Sequence, residues 1–301
     1  LRILLRMSVV LTHAGRCPVV RVLRLAGQYA KPRSGSMEEV GGRSLPVYRG
    51  DLINGLEPTE AERRADPARL QQAYFHAAAT LNHLRALIEG GFADLHHPER
   101  WDLPGRTFDL PAYQEVLREV RSTLDFLEAL GGVQPRALER IELFTSHEAL
   151  LLPYESALTR WVPEAGAWYN LSAGMVWVGE RTRDLEGAHV EYLRGLRNPL
   201  GIKLGPTATA EEVRDLLDRL DPDREPGRIT LITRFGSERI RQALPPLIAG
   251  VKAAGHPVLW SCDPMHGNTI KARGGLKTRD FAAILSELSQ AFEMFAIDEA
   301  I

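Results

Sequence analysis

GIKLGPTATAEEVRDLLDRLDPDREPGRITLITRFGSERIRQALPPLIAGVKAAGHPVLW, residues 201–260, is the stretch whose reading decides the fold. Three short β-rich apolar runs, Gly201–Leu204, Ile229–Thr233 and Pro257–Trp260, alternate with segments of helical period. Continuous apolar runs of this length are what strands buried on both faces of a parallel sheet look like. Thr209 followed by Glu212 has the spacing of a capping box, and Ser237 is read as the cap of a helix ending near Gly255. Working outward, similar runs occur at Met175–Val178, Ile141–Thr145 and Val19–Leu25, and the last five of the six begin 26 to 34 residues apart. Downstream, Thr278 is read as the cap of a helix carrying Phe281, Ile284, Leu285, Leu288 and Phe292. Strand, helix, strand at this interval predicts parallel βαβ units.

Such a repeat is either an open doubly wound sheet or a closed barrel. No Gly-x-Gly-x-x-Gly turn follows an early strand, so a dinucleotide fold has no support. The polar residues that stand out, Arg24, Glu180, Arg181, Lys203, Arg234 and His266, lie at or just after strand ends. In a barrel those ends ring one mouth, which favours a (β/α)8 barrel. Only six of eight strands are legible, so the expected unit is one partial barrel domain over residues 1–301, with a strand wanting before Leu1 and another after Ile301. The chain starts with Leu rather than Met, which fits a fragment, and an unclosed sheet is expected to be aggregation-prone. Residues 35–140 read as a loop and helical insertion: Gly35–Gly55 is a polar loop, Asp66-Pro67 opens a helix carrying Leu70, Tyr74, Ala77, Leu81, Leu84 and Ile88, and Pro111–Leu130 carries Val116, Leu117, Val120, Leu124 and Leu127 before Gly131-Gly132.

Bulk properties exclude several classes. With 301 residues, 37 Lys+Arg, 39 Asp+Glu and no long basic run, nucleic-acid binding is not indicated. Two cysteines, Cys17 and Cys262, make no disulfide framework and fit a reducing cytoplasm. No apolar stretch is long enough to span a membrane, and the basic, apolar start LRILLRMSVVLTH is read as a helix rather than a signal peptide.

Four cations at strand ends, Arg24, Arg181, Lys203 and Arg234, repel one another unless an anion joins them, so a small polyanionic substrate is expected. Lys203 sits in a short apolar strand between Gly201 and Gly205 and needs a partner. Lys31, Arg33 and Ser34, with Gly27 upstream and Pro32 stiffening the turn, form either a phosphate loop or a solvated basic turn. His266, near Asp263, reads as a metal ligand, a general base or a structural hydrogen-bonder. Neither Cys262 nor any serine sits in a nucleophile motif.

RLAGQYAKPRS (24–34), YRGDLING (48–55), SHEAL (146–150), WVGERTR (177–183), GIKLGP (201–206) and DPMHGNT (263–269) together resemble, in order, the motifs of type II 3-deoxy-D-arabino-heptulosonate-7-phosphate (DAHP) synthases. The resemblance implies a (β/α)8 barrel that condenses phosphoenolpyruvate with erythrose 4-phosphate, the first step of the shikimate pathway. It assigns Arg24, Glu180, Arg181, Lys203 and Arg234 to phosphoenolpyruvate, with Lys203 and Glu180 taking part in catalysis, and Lys31, Arg33 and Ser34 to erythrose 4-phosphate. It makes His266 a ligand of Mn2+ or Co2+, with the family's cysteine ligand upstream and its glutamate and aspartate ligands downstream of the matched motifs; Cys17, Asp298 and Glu299 do not replace them. A cytoplasmic homo-oligomer is implied for the full-length protein. The alternatives are another barrel lyase or aldolase acting on phosphorylated sugars, or a non-enzymatic chain that binds phosphoenolpyruvate without turnover or binds only a partner protein.

Overall fold

The computed structural model describes residues 1–25, 29–101, 111–131, 141–272 and 276–299. In chain order these form α1 (Arg2–Gly15), β1 (Val22–Leu23), β2 (Met37–Val40), β3 (Arg43–Pro46), α2 (Glu60–Arg63), α3 (Ala68–Glu89), α4 (Pro111–Gly131) and β4 (Phe144–Glu148). There follow α5 (Leu152–Ala157), β5 (Thr159–Val162), β6 (Ala167–Asn170), β7 (Met175–Val178), α6 (Ala188–Arg194), β8 (Leu200–Leu204), α7 (Ala210–Leu220), β9 (Ile229–Thr233), α8 (Ile240–Ala254), β10 (Val258–Cys262), β11 (Thr269–Lys271), β12 (Lys277–Arg279) and α9 (Phe281–Glu299).

The chain packs as two compact units, one of Leu1–Gly27 with Gln71–Ser146 and one of Gln28–Leu70 with His147–Ile301. In the first, Leu5, Val9, Ala93, Trp101 and Ile141 form a small core, with Val116, Leu117 and Val120 of α4 packed against it. Trp101 is fully buried and its indole Nε1–H donates to the Phe92 carbonyl at 2.6 Å. β1 pairs in parallel with β4, Val22 opposite Phe144.

The second unit holds the main core. β7, β8, β9 and β10 pair in parallel, with Trp177 opposite Gly201, Lys203 opposite Ile232, and Cys262 opposite Thr233. Leu200, Ile202, Leu204, Ile229 and Leu231 are fully buried against Val213, Leu216 and Leu217 of α7 and Leu244 of α8. Gly201 is required in β8: a Cβ there would lie 2.7 Å from the Trp177 Cβ and 2.9 Å from the Met175 Cε. The order of the parallel sheet is β1-β4-β7-β8-β9-β10. Each parallel strand lies beside its successor in the chain, without the reversal that defines a doubly wound sheet. This is a mixed α/β protein whose six parallel strands wind in one direction, as in a barrel.

The expected capping box is present, Thr209 Oγ1 accepting from Glu212 N at 3.2 Å. Other boundaries shift. Ser237 does not cap α8, whose N-cap is Arg239, although Gly255 does end it in the left-handed region (φ 70°). Thr278 lies in β12, and Asp280 is the residue whose side chain accepts from Ala283 N at the start of α9. The Val19–Leu25 strand contracts to Val22–Leu23, and the Ile141–Thr145 strand moves to Phe144–Glu148, placing His147 and Glu148 inside the sheet. The polar Gly35–Gly55 stretch contains the β2–β3 hairpin, turned by Gly41 and Gly42 at φ 58° and 76°. Gly27 and Gly132 lie outside the described residues.

Candidate functional site

Strand β8 delivers Lys203 to the second unit's sheet end, flanked by the loops that follow β7, β9 and β10. The partner its burial demands is Asp263, one residue beyond β10: Nζ donates to Oδ2 at 2.6 Å, with both side chains 14% exposed. The same carboxylate accepts from Nδ1 of His266, at 2.9 Å to Oδ1 and 2.7 Å to Oδ2. Burial alone would raise the Asp263 carboxyl, but the His266 hydrogen bond and the adjacent Lys203 ammonium hold it well below the ordinary carboxylate range. Asp263 therefore accepts from three donors, Lys203, His266 and the Met265 amide at 3.2 Å, and leaves the ammonium two further hydrogens. The Lys203 Nζ also lies 5.8 Å from the centre of the Trp177 ring.

Arg234 follows β9 and reaches across to the next loop, Nη2 donating to the His266 carbonyl at 3.3 Å. Its Nε is buried and has no hydrogen-bond partner among the described residues. A buried guanidinium N–H left unmatched in an otherwise organised loop is a donor available to an anion.

Glu180 and Arg181 follow β7. Glu180 is set by Arg183, whose Nη2 and Nε each approach a carboxylate oxygen at 3.4 Å, and by Thr207, whose hydroxyl donates to Oε1 at 3.3 Å. Gly205 makes room for it, since a Cβ there would stand 2.7 Å from the Glu180 Cδ. Arg183 is buried and also contacts Glu212 at the start of α7, so the capping-box glutamate doubles as an anchor for the post-β7 loop. Arg181 is exposed and donates from Nη1 to the Pro32 carbonyl at 3.0 Å. That contact brings the Lys31–Ser34 turn beside it. Arg33 donates from Nε to the Tyr48 carbonyl at 2.7 Å, the Lys31 Nζ stands 5.3 Å from the Tyr48 ring centre, and Ser34 is exposed.

The 48–55 motif is the scaffold of that turn. The buried Asn54 donates to the Val47 and Arg63 carbonyls and accepts from Arg49 N. Gly50, at φ 102°, is pressed against the chain, because a Cβ would lie 2.0 Å from the Tyr29 carbonyl oxygen. Tyr48 donates to Asp51 at 2.7 Å, and burial followed by that hydrogen bond pushes its phenol up to about 12.

Residues 147 and 148 also belong to this unit. Glu148 is buried and its carboxylate lies over Gly179, where a Cβ would meet Oε1 at 2.2 Å. His147 is 1% exposed and donates from Nε2 to Glu155 Oε1 at 2.9 Å, while Asn170 donates to Glu155 Oε2 at 2.6 Å. This buried polar network ties α5 and β6 to the end of β4.

Within the second unit, then, Glu180, Arg181, Lys203, Arg234 and His266 are linked through neighbouring loops, and Lys31, Arg33 and Ser34 join through Arg181. Arg24 is exposed directly after β1 in the other unit. Sequence reasoning missed Arg183, Glu148 and the dual role of Asp263. The signal for Arg183 was its place three residues after Glu180. Cys262 is not reactive: burial pushes its thiol up to about 12. Among the described residues no group of three or more His, Cys, Asp or Glu side chains could hold a metal ion. His266 Nδ1 is engaged by the Asp263 carboxylate, the contact that commonly orients a metal-ligating histidine, so Nε2 is the ring nitrogen that would bind a metal ion, while Asp263 itself is committed to Lys203.

The sequence matches the family model described as the class-II DAHP synthetase family over residues 1–300. It is 49% identical over 296 residues to a phospho-2-dehydro-3-deoxyheptonate aldolase of Streptomyces coelicolor, which aligns with 98% of this chain and 66% of its own length. Over 314 residues it is 44% identical to the protein of that name from Neurospora crassa, and over 301 residues 47% identical to phospho-2-dehydro-3-deoxyheptonate aldolase AroG of Mycolicibacterium smegmatis; each alignment covers 98% of this chain and 64% of the relative. The chain thus spans slightly less than two thirds of the length of the curated relatives it matches.

Proposed function

The chain belongs to the class-II DAHP synthetase family, and from that we propose that it grips phosphoenolpyruvate for condensation with D-erythrose 4-phosphate, giving 3-deoxy-D-arabino-heptulosonate 7-phosphate and inorganic phosphate. The observation that carries this reading is the linked set Lys203–Asp263–His266–Arg234, which contains a buried, unmatched Arg234 N–H and an ammonium with hydrogens to spare. A substrate bearing both a phosphate and a carboxylate complements that arrangement, because bidentate and charge-assisted donors select doubly ionised ligands.

In the proposed reaction C3 of phosphoenolpyruvate attacks the aldehyde carbon, positive charge develops at C2, water adds there, and phosphate leaves by C–O cleavage. Lys203 and Arg234 hold the anionic groups so that C3 faces the aldehyde, the orientation being worth several orders of magnitude in rate. Arg181 and Arg24 complete the anion contacts, Arg24 by family resemblance alone. Glu180, steadied by Arg183 and Thr207, positions the water. Lys31, Arg33 and Ser34 take the phosphate of erythrose 4-phosphate. His266 is the residue that the resemblance assigns to a Mn2+ or Co2+ ion. Among the described residues no group of three or more His, Cys, Asp or Glu side chains completes that site; an ion held there would act as a Lewis acid on the aldehyde oxygen. The same reading keeps a (β/α)8 barrel, with residues 35–140 inserted in it, and a cytoplasmic homo-oligomer. No helix among the described residues is long and apolar enough to cross a membrane.

The test is calorimetric titration of phosphoenolpyruvate into the wild-type chain and into Lys203→Ala. Loss of one charge-assisted contact to a doubly charged ligand is expected to weaken binding roughly tenfold to a hundredfold. Equal affinities would remove Lys203 from the clamp. A phosphate-release assay with both substrates then separates turnover from binding alone.

A further inference from the structure

Loops bearing Arg234 and His266 have no covalent link, yet their backbones touch: a Cβ on Gly267 would lie 2.3 Å from Gly236 N and 2.9 Å from Gly236 Cα. Gly236 itself has φ 87°, which favours glycine. Behind this contact stands Glu287 of α9, with no exposed surface. Its Oε1 accepts from the amides of Phe235 at 2.8 Å and Gly236 at 2.9 Å, and its Oε2 accepts from Asn268 Nδ2 at 2.6 Å. Asn268 returns the link, its Oδ1 accepting from Ser237 N at 3.0 Å while Nδ2 also donates to the Pro264 carbonyl at 2.8 Å. Gln290, one turn along α9, donates to the Ser237 carbonyl at 3.0 Å.

A carboxylate taken wholly out of water is strongly disfavoured unless every lone pair it turns inward meets a donor. An apolar residue would fill this place in the core more cheaply. What Glu287 adds is direction: two successive backbone N–H groups of one loop and a side-chain amide of the next converge on its two oxygens. We propose that Glu287 is a positioning residue that clamps the post-β9 and post-β10 loops into one rigid body, setting the distance between the Arg234 guanidinium and the Lys203–Asp263–His266 group. The inference builds on the phosphoenolpyruvate reading above. The ligand touches neither Glu287 nor Asn268; both act through the loops that they hold.

Glu287→Gln keeps the shape of the side chain and turns an N–H2 toward the Asn268 amide, donor against donor. Two readouts are taken on the whole chain. In the ligand-free protein, amide hydrogen exchange at Phe235, Gly236 and Ser237 is expected to quicken at least tenfold while the amides of β8 keep their protection. Under the same conditions the dissociation constant for phosphoenolpyruvate, per folded molecule, is expected to rise at least tenfold. Exchange that rises evenly through the unit, with unchanged affinity, would mean that Glu287 only supports the core and would overturn the proposal. If Glu287→Gln does not fold, Asn268→Ala decides, because it cuts the bond to the post-β10 loop and leaves Glu287 on the two amides; an affinity equal to that of wild type overturns the proposal. Absence of phosphoenolpyruvate binding by the wild-type chain would sink the substrate reading, and the exchange pattern would still decide the clamp.

Discussion

Gly201 and Gly205 flank Lys203 but answer to different neighbours. A methyl at Gly201 would run into the Trp177 Cβ and the Met175 Cε inside the sheet, where packing density leaves no slack. Gly201→Ala is therefore expected to lower stability by about 1–3 kcal/mol in chemical denaturation. At Gly205 the obstacle is the carboxylate end of Glu180, a side chain able to swing aside. Gly205→Ala should keep stability within roughly 1 kcal/mol of wild type and instead weaken phosphoenolpyruvate binding by displacing Glu180 from Arg183. Equal stability losses in the two variants would contradict this division. Residue-scale legibility followed the same line. That Lys203 required a partner was evident from an ammonium in an apolar strand, whereas its identity, Asp263, sixty positions away, depended on the β8–β9–β10 register.

At the scale of elements, α4 is held in the first unit by apolar packing and by charge. Its Glu128 lies 3.0 Å from His96 Nε2, and His96 Nδ1 lies 2.6 Å from Asp94 Oδ1. The ring thus has a carboxylate at each nitrogen, and the hydrogen bond to Asp94, then the charges of Asp94 and Glu128, raise its pKa against the opposing effect of burial. A group raised on folding stabilises fully below its unfolded value, about 6.5, and that contribution fades as pH climbs through the folded value. Asp94, His97 and Arg121 also face this histidine or its loop, Arg121 donating to the His96 carbonyl at 3.2 Å. Amide exchange in α4, corrected for intrinsic rate, should show stronger protection at pH 6 than at pH 8.5, and His96→Gln should flatten the difference; stronger protection at the higher pH would refute the assignment. The helices themselves were legible from their period, but not always their faces. In α9 the run Phe281, Leu285 and Phe292 is 75%, 52% and 60% exposed, while Glu287 and Ala291 are wholly buried. Periodicity finds a stripe, and what lies opposite determines which stripe turns inward.

Across the whole molecule, β10 ends the order of the parallel sheet and carries Leu259, 56% exposed, on the same unit as the apolar surface of α9. An end strand with exposed apolar residues is a template for further pairing. The chain is expected to self-associate with rising concentration in sedimentation experiments, and Leu259→Lys to lower the associated fraction; a wild-type chain monomeric throughout the micromolar range would show this surface to be harmless. The hairpins β2–β3 and β5–β6 and the pairing of β11 with β12 were not read from the sequence. Gly41-Gly42 was a usable hairpin signal, masked by the polar composition around it, and the facing Trp161 and Trp168 flank a second one, the Pro163–Gly166 turn with Gly166 at φ 59°.

From the sequence alone came the parallel βαβ winding, the capping of α7 and the placing of Arg181, Lys203 and Arg234 at or just after strand ends, because short apolar strands, helix caps and strand-to-loop positions are local patterns that the chain writes in order. Tertiary structure alone decided which partners those cations take, that Arg183 steadies Glu180, and that a glutamate on the last helix is buried behind two loops. Hydrogen bonds between residues 50 or more apart depend on strand register and on the close approach of Gly236 to Gly267, and neither is encoded in any one window of sequence.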